Sequence, residues 1–341
     1  MTTRRLTLRR VLWICGLLTA VLFFVVLLAL RLGAVPFTMG ELAENLLWLV
    51  TGHSEKLSTD FRLIMVDIRL PRILLGIVVG AALSVAGASF QALLRNPLAD
   101  PYVLGVSSGA AFGVILALLL APMLPLLTPL AAFLGATATI TGVYFLGRRQ
   151  GQLDSGTLLL AGIICASFLS AIIMFLMTTL ASRDVRGIAF WLMGDLSTPL
   201  PTGLLWILAV GFLLAFGAIF TTASDLNLLL AGEREAMHLG VDVTRVKLVV
   251  YVSASVLTGL AVSVSGAIGY VGLLVPHVMR MLFGSDYRVL LPASALGGAI
   301  AIVLADTLAR TVVAPTELPV GAMTAMAGAP VFIYLLRRRM T

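Results

Sequence analysis

The chain has 341 residues, of which 60% are hydrophobic and only 11% charged, and its mean hydropathy is +1.08. Soluble domains carry about 25% charged residues, so this composition excludes an ordinary soluble domain and indicates a polytopic membrane protein. The net charge of +7 reads as a topology signal and not as a nucleic-acid footprint, because the basic residues gather in segments between apolar runs.

Apolar runs of about 20 residues, each roughly 30 Å of helix, recur at 11–30, 73–94, 102–121, 126–146, 157–180, 202–220, 246–267, 270–283, 290–309 and 320–336. They predict an all-helical chain of about ten spans in a single transmembrane domain, 1–341. The first run lacks a small-residue cleavage site and is followed by other spans, so it reads as a retained span and not as a removed signal peptide. A long loop follows at 31–72, where Glu41, Glu44, Glu55, Asp60 and Asp67 balance the basic residues.

The second span opens on Arg69-Leu70-Pro71-Arg72 and stops at Arg95-Asn96-Pro97-Leu98-Ala99-Asp100-Pro101. Proline pushes the residue before it out of the helical region, so Asn96-Pro97 ends one helix. Asp100 can cap the next, with Pro101 at its first helical position. Cys15 and Cys165 fall inside spans, and His53, His238 and His277 are too dispersed for a ligand cluster. Neither a metal site nor a cofactor is expected. His277, beside Pro276 near the end of the short, Gly-rich eighth run, reads as a packing residue.

An even number of spans puts both termini on one side. That side would carry Arg4, Arg5, Arg9, Arg10, Arg95, Arg148, Arg149, Arg234, Arg245, Lys247, Arg280, Arg288 and Arg337 to Arg339, most of the 23 Lys and Arg. The positive-inside rule makes it the cytoplasmic side.

Gly80, Ala82, Ser84, Val85, Gly87 and Ala88 recur at a constant offset of 179 as Gly259, Ala261, Ser263, Val264, Gly266 and Ala267, with Pro97 and Pro276 in the same register. Five crossings separate the copies, which therefore point in opposite directions. Inverted repeats suit transporters, whose two related halves rock about a central pathway; the alternative is that small-residue helices look alike by chance. No Gly-x-x-x-x-Gly-Lys-Ser/Thr phosphate loop occurs in the chain, so it is not expected to hydrolyse ATP. The acidic residues cluster at span ends and in loops, which argues against an ion-coupled carrier. Asp306 is the main exception, with Arg310 one turn away as its partner. Energy is expected from a partner subunit.

The segment 225–243, between the sixth and seventh spans, has apolar Leu226, Leu229, Leu230, Met237 and Leu239 and a charged face of Glu233, Arg234, Glu235 and His238. Its pattern predicts two short helices broken near Gly232 and ended by Gly240. On the residues alone it could be a solvated connector.

In order and spacing these segments resemble the FecCD family of permeases, subunits of ABC importers for iron chelates and cobalamin. The likeness extends through Gly266-Ala-Ile-Gly-Tyr-Val-Gly-Leu-Leu-Val-Pro-His-Val-Met-Arg280, Glu317-Leu-Pro-Val-Gly321 and Gly328-Ala-Pro330. Only the stretch from Gly33 to Thr59 and the tail after Leu336 carry no recognisable motif. The resemblance implies a type II ABC importer permease fold and a homodimer in the bacterial inner membrane, in contact with lipid. Its partners would be two ATP-binding subunits and one periplasmic substrate-binding protein, with no nucleic acid and no catalytic residues in this chain.

By the same resemblance Glu233, Arg234, Glu235, Ala236, Leu239 and Gly240 form the segment that couples to the ATP-binding subunit. Arg69, Arg72 and Arg310 would dock the binding protein, Arg69 and Arg72 being available to outside carboxylates; headgroup snorkelling is the alternative. Asn96, Pro97, Leu98, Ser155 and Gly156 would form the cytoplasmic gate, or else be ordinary tight turns. The segment from Ile188 to Gly194 resembles a short outer helix flanking the pathway, in which Trp191 could equally be an interfacial anchor. The implied cargo is a ferric siderophore or haem, with cobalamin as the alternative within the family. An ion-coupled secondary transporter is the rival outside it.

Overall fold

Inside a bilayer the backbone has no water to bond, so long apolar runs must satisfy their own polar groups as helices. The structure, a computed structural model, describes residues 7–340 apart from 34, 36, 52, 54–56, 121–126, 150, 151, 179–181 and 199. Among them are α1 (Leu8–Arg31), α2 (Met39–Val50), α3 (Thr59–Phe61), a π-helical stretch Arg62–Arg69, α4 (Leu70–Leu93) and a 3-10 turn Pro101–Leu104. Then come α5 (Val106–Leu120), α6 (Leu127–Leu146), α7 (Ser155–Met177), α8 (Ser182–Leu192) and α9 (Thr202–Thr221). The chain finishes with α10 (Ala223–Leu229), α11 (Glu233–His238), α12 (Val243–Ser265), α13 (Val271–Phe283), α14 (Tyr287–Thr311) and α15 (Val320–Met340).

Seven helices of the described residues are long and apolar enough to cross a membrane, and three shorter apolar ones, Val106–Leu120, Val271–Phe283 and Val320–Tyr334, complete the ten expected spans. The 59–93 stretch is the axis of the bundle. Every residue of α4 from 79 to 93 is buried, and α14, α12, α13 and α9 pack around it. Small residues allow this. A Cβ on Gly80 would overlap the Gly298 carbonyl of α14, and one on Gly87 would overlap the Gly272 carbonyl of α13, so the backbones touch where larger residues would hold them apart. Peripheral helices show the opposite pattern, with Phe23 and Phe24 of α1, Phe168 and Phe175 of α7, and Trp206 and Leu214 of α9 facing outward, as lipid contact requires.

The repeated segments lie in α4 and α12, which run antiparallel: Phe90 near the end of α4 meets Tyr251 near the start of α12 with ring centroids 6.1 Å apart. Local equivalence stops at the glycines. Gly87 is inside α4, whereas Gly266 ends α12 with φ +63. Pro97 lies in the loop after α4 while Pro276 is inside α13, so the shared proline does not mark a shared turn.

Other differences from expectation have local causes. Asp100 caps the next helix as expected, accepting from Tyr102 N at 2.9 Å, but the result is a 3-10 turn closed by Gly105 at φ +77, and the span proper starts at Val106. The seventh span ends at Ser265, not at 267. Residues 266–270 are irregular, and Ile268 N donates to the Tyr102 hydroxyl at 2.9 Å. Three features were not anticipated. The expected loop at 31–72 is helical from Thr59 onward, running through α3 and the π-helical Arg62–Arg69 into α4. A small antiparallel pair joins β1 (Arg148–Arg149) to β2 (Gln152–Leu153). Helix α2 starts on a capping box in which Glu41 Oε2 accepts from Thr38 N at 2.9 Å and Glu41 N donates to Thr38 Oγ1 at 3.3 Å.

Candidate functional site

Two groups of the expected residues come together at opposite ends of α4, which at 24 residues is roughly 36 Å long. At its C-terminal end sit α10 and α11. The break between them falls at Gly232, φ +142, and the exit is at Gly240, φ +87. Both are left-handed conformations that favour glycine, which is why the break and the stop were legible. Leu226, Leu229 and Ala236 are buried and seat the pair on the bundle, while Arg234, Glu235, Met237, His238 and Leu239 are exposed. Leu239 is 66% exposed and Met237 54%. The unit is therefore a rigid knob with an apolar tip and a charged rim.

Glu233 does not belong to that tip. Its Oε1 accepts from Arg95, the residue before Asn96, and its Oε2 lies 2.8 Å from Nζ of Lys247 in α12. Burial acts to raise the Glu233 carboxyl, but hydrogen bonding and charge from Lys247 and then Arg95 outweigh it and hold the group below the ordinary carboxylate range. A second tie fixes α10. Asn227 Nδ2 donates to Asp286 Oδ1 at 2.9 Å and Asn227 Oδ1 accepts from Tyr287 N at 2.9 Å, bonding α10 to the start of α14.

The expected gate residues lie beside the knob. Asn96 Oδ1 accepts from Leu98 N at 2.9 Å, which folds 96–98 into an Asx turn, and Leu98 is 45% exposed. Ser155 Oγ donates to Leu93 O at 3.3 Å, so the start of α7 touches the last turn of α4. Gly156 is exposed in the first turn of α7, which Asp154 caps through Thr157 N at 2.7 Å. The start of α7 is thus held at the C-terminal end of α4, which leads into the 96–98 turn.

At the N-terminal end of α4 the three arginines also converge, yet they are not free. Arg72 donates from Nε to Asp306 Oδ1 at 2.8 Å and from Nη1 to Glu317 Oε2 at 2.8 Å, while Arg310 Nε lies 3.0 Å from Asp306 Oδ2. Arg69 donates to Leu30 O at 2.6 Å and to Val35 O, and its guanidinium stacks 5.2 Å from the Phe37 ring centre. Arg310 Nη2 donates to Ala29 O at 3.4 Å. Arg69, Arg72 and Arg310 are only 4%, 8% and 6% exposed. The expectation that Arg69 and Arg72 stand open to an outside carboxylate is therefore corrected. The last carbonyls of α1 have no helical partner and need donors, which Arg69 and Arg310 supply, and two buried guanidinium groups need Asp306. Glu317 is the exposed member, its side chain 46% accessible.

Sequence reading missed Lys247, Asn227 and the Gln91–Arg280 contact at 3.1 Å, because their partners lie far off in the chain. Nor does it pair Glu317 with Arg72, although Glu317 opens the Glu317–Gly321 motif. The exposure of Trp191 expected for a pure interfacial anchor is not seen: it is half-buried, and its carbonyl abuts Gly266.

Comparison with known proteins agrees with this architecture. Residues 21–338 match the FecCD transport family. The chain is 44% identical over 286 residues to the cobalamin import system permease protein BtuC of Halobacterium salinarum, covering 82% of this chain and 74% of the relative. It is 41% identical over 293 residues to the hemin transport system permease protein HmuU of Yersinia pestis, covering 81% and 84%. A solved structure described as an inward-facing conformation of a metal-chelate type ABC transporter superposes with a TM-score of 0.80 at 32% identity, over 96% of this chain and 99% of that one. Ten apolar helices, the antiparallel repeat and the match over most of the chain lead to one statement: this multi-pass membrane protein belongs to the FecCD family of ABC importer permeases.

Proposed function

We propose that the chain is the permease of an importer for a bulky metal chelate, a ferric siderophore or haem, working as a homodimer in the bacterial inner membrane with both termini cytoplasmic. ATP is hydrolysed by two separate ATP-binding subunits, one seated on each α10–α11 knob. The permease is a conduit, alternating between open sides as the 96–98 and 155–156 loops part and close. The observation that carries this reading is the knob: an apolar tip of Met237 and Leu239 stands in solvent on a frame fixed by ion pairs and hydrogen bonds. The chain around it has no phosphate loop of its own. Cobalamin is the second reading, favoured by the name of the 44% identical relative.

A binding protein delivers cargo at the opposite end. There the half-exposed Glu317 is the group an incoming carboxylate can replace on Arg72, so Arg72 becomes a contact only on docking, while Arg69 and Arg310 support the surface from within.

The knob is tested by assembly. Burying a Leu or Met side chain against a partner is worth about 1.5 to 3 kcal/mol, and a carboxylate in its place would be desolvated without a partner, so Leu239→Asp with Met237→Asp should abolish co-purification of the ATP-binding subunit while the permease keeps its helical content and unfolding temperature. A doubly substituted chain that still holds its partner would show that the tip faces only water.

A further inference from the structure

Helix α4 ends in a Schellman motif: Arg95 N donates to Ala92 O at 3.2 Å and Asn96 N to Gln91 O at 3.1 Å. The residue at its left-handed position is Arg95, with φ +47. Glycine is the usual occupant, because a Cβ is crowded there, so an arginine is held against local backbone preference. Its side chain supplies the reason. The guanidinium pairs with Glu233 Oε1 at the first residue of α11, and the second carboxylate oxygen is taken by Lys247 of α12, which is 7% exposed.

One carboxylate therefore joins three elements: the knob, the buried helix α12, and the last turn of α4. The residue after Arg95 begins the Asx turn 96–98, and the turn before it is bonded to Ser155 through Leu93 O. A displacement of α11 reaches the loop by one ion pair and one peptide bond. Glu235, on the same helix, is exposed and takes no part.

We propose that the Glu233–Arg95 ion pair is the positioning link by which movement of the α10–α11 knob opens and closes the 96–98 loop, with Lys247 as its fixed anchor. This rests on reading α10–α11 as the ATPase-coupling knob and 96–98 as the gate. Arg95 acts through the loop it holds.

The test is Arg95→Gly, because it removes the link while relieving the backbone and leaves Glu233 paired with Lys247. The assembled complex, with its ATP-binding subunits and binding protein, is reconstituted in proteoliposomes. Uptake of haemin, a ferric hydroxamate and cyanocobalamin is measured beside ATP hydrolysis, following whichever probe the unaltered complex accumulates. The unfolding temperature should be unchanged or higher, hydrolysis should persist, and uptake per ATP should fall about tenfold, within the usual range of coupling between sites. Arg95→Lys, which keeps the charge, should recover part of the loss. Unchanged uptake per ATP in Arg95→Gly would overturn the link, and so would a loss of hydrolysis and uptake in proportion to lost folding. Failure of the link and failure of the coupling reading separate cleanly: the Leu239→Asp and Met237→Asp chain still sheds its ATP-binding subunit in the first case and retains it in the second.

Discussion

Asp306→Ala is expected to destabilise the permease by about 3 to 5 kcal/mol, the usual effect of removing one partner from a buried ion pair. The carboxylate is 2% exposed and lies between two guanidinium groups, 2.8 Å from Arg72 and 3.0 Å from Arg310. Its loss leaves Arg310 without an acid in contact among the described residues and Arg72 dependent on Glu317. Glu317→Ala should do far less, about 1 kcal/mol at most, because that carboxylate is half in solvent and its desolvation was never completed. Thermal unfolding of both variants in nanodiscs gives the comparison. Equal and small shifts would mean that water reaches the cluster and that it does not hold α1, α4 and α14 together.

The second large effect is steric. Gly87→Val should cost about 3 kcal/mol or more and deplete folded protein in the membrane, because the new side chain meets the Gly272 backbone, which cannot rotate away as a side chain would. Relief requires α4 and α13 to separate, and α4 is the most buried helix of the bundle. Gly217→Ala in α9 is the control. Nothing lies within 4 Å of a Cβ there, so only helix propensity acts, and the change should be neutral or stabilising by up to about 1 kcal/mol. Comparable losses from both substitutions would contradict the close approach.

Much of this was legible because membrane spans declare themselves by length and apolarity. The span at 126–146 ends with α6 at Leu146, and the span at 202–220 differs from α9 by one residue at its end. The glycine stops at 232 and 240 were readable for the same local reason, since a required left-handed residue leaves a mark in the sequence. Helix α2 carries one local mark, the Thr38–Glu41 capping box, in a stretch that otherwise holds no motif. The β1–β2 pair was not legible, for two-residue strands carry no periodicity. What the sequence could not supply was the pairing of charges. Arg72 and Glu317 are 245 residues apart and Arg95 and Glu233 are 138 apart, so a local reading assigned Asp306 to Arg310 alone and pointed Arg69 and Arg72 outward. Packing decided otherwise, because a guanidinium beside the orphan carbonyls of α1 is better satisfied inside than in solvent.

The measurement that tests the account most directly is uptake by proteoliposomes holding this chain with and without its ATP-binding subunits, the cargo-loaded binding protein being supplied on one side and ATP on the other. The account predicts accumulation of a metal chelate only when permease, ATP-binding subunits and ATP are all present, with no hydrolysis by the permease alone. Accumulation driven by an ion gradient in liposomes that contain the permease and no ATPase would contradict it.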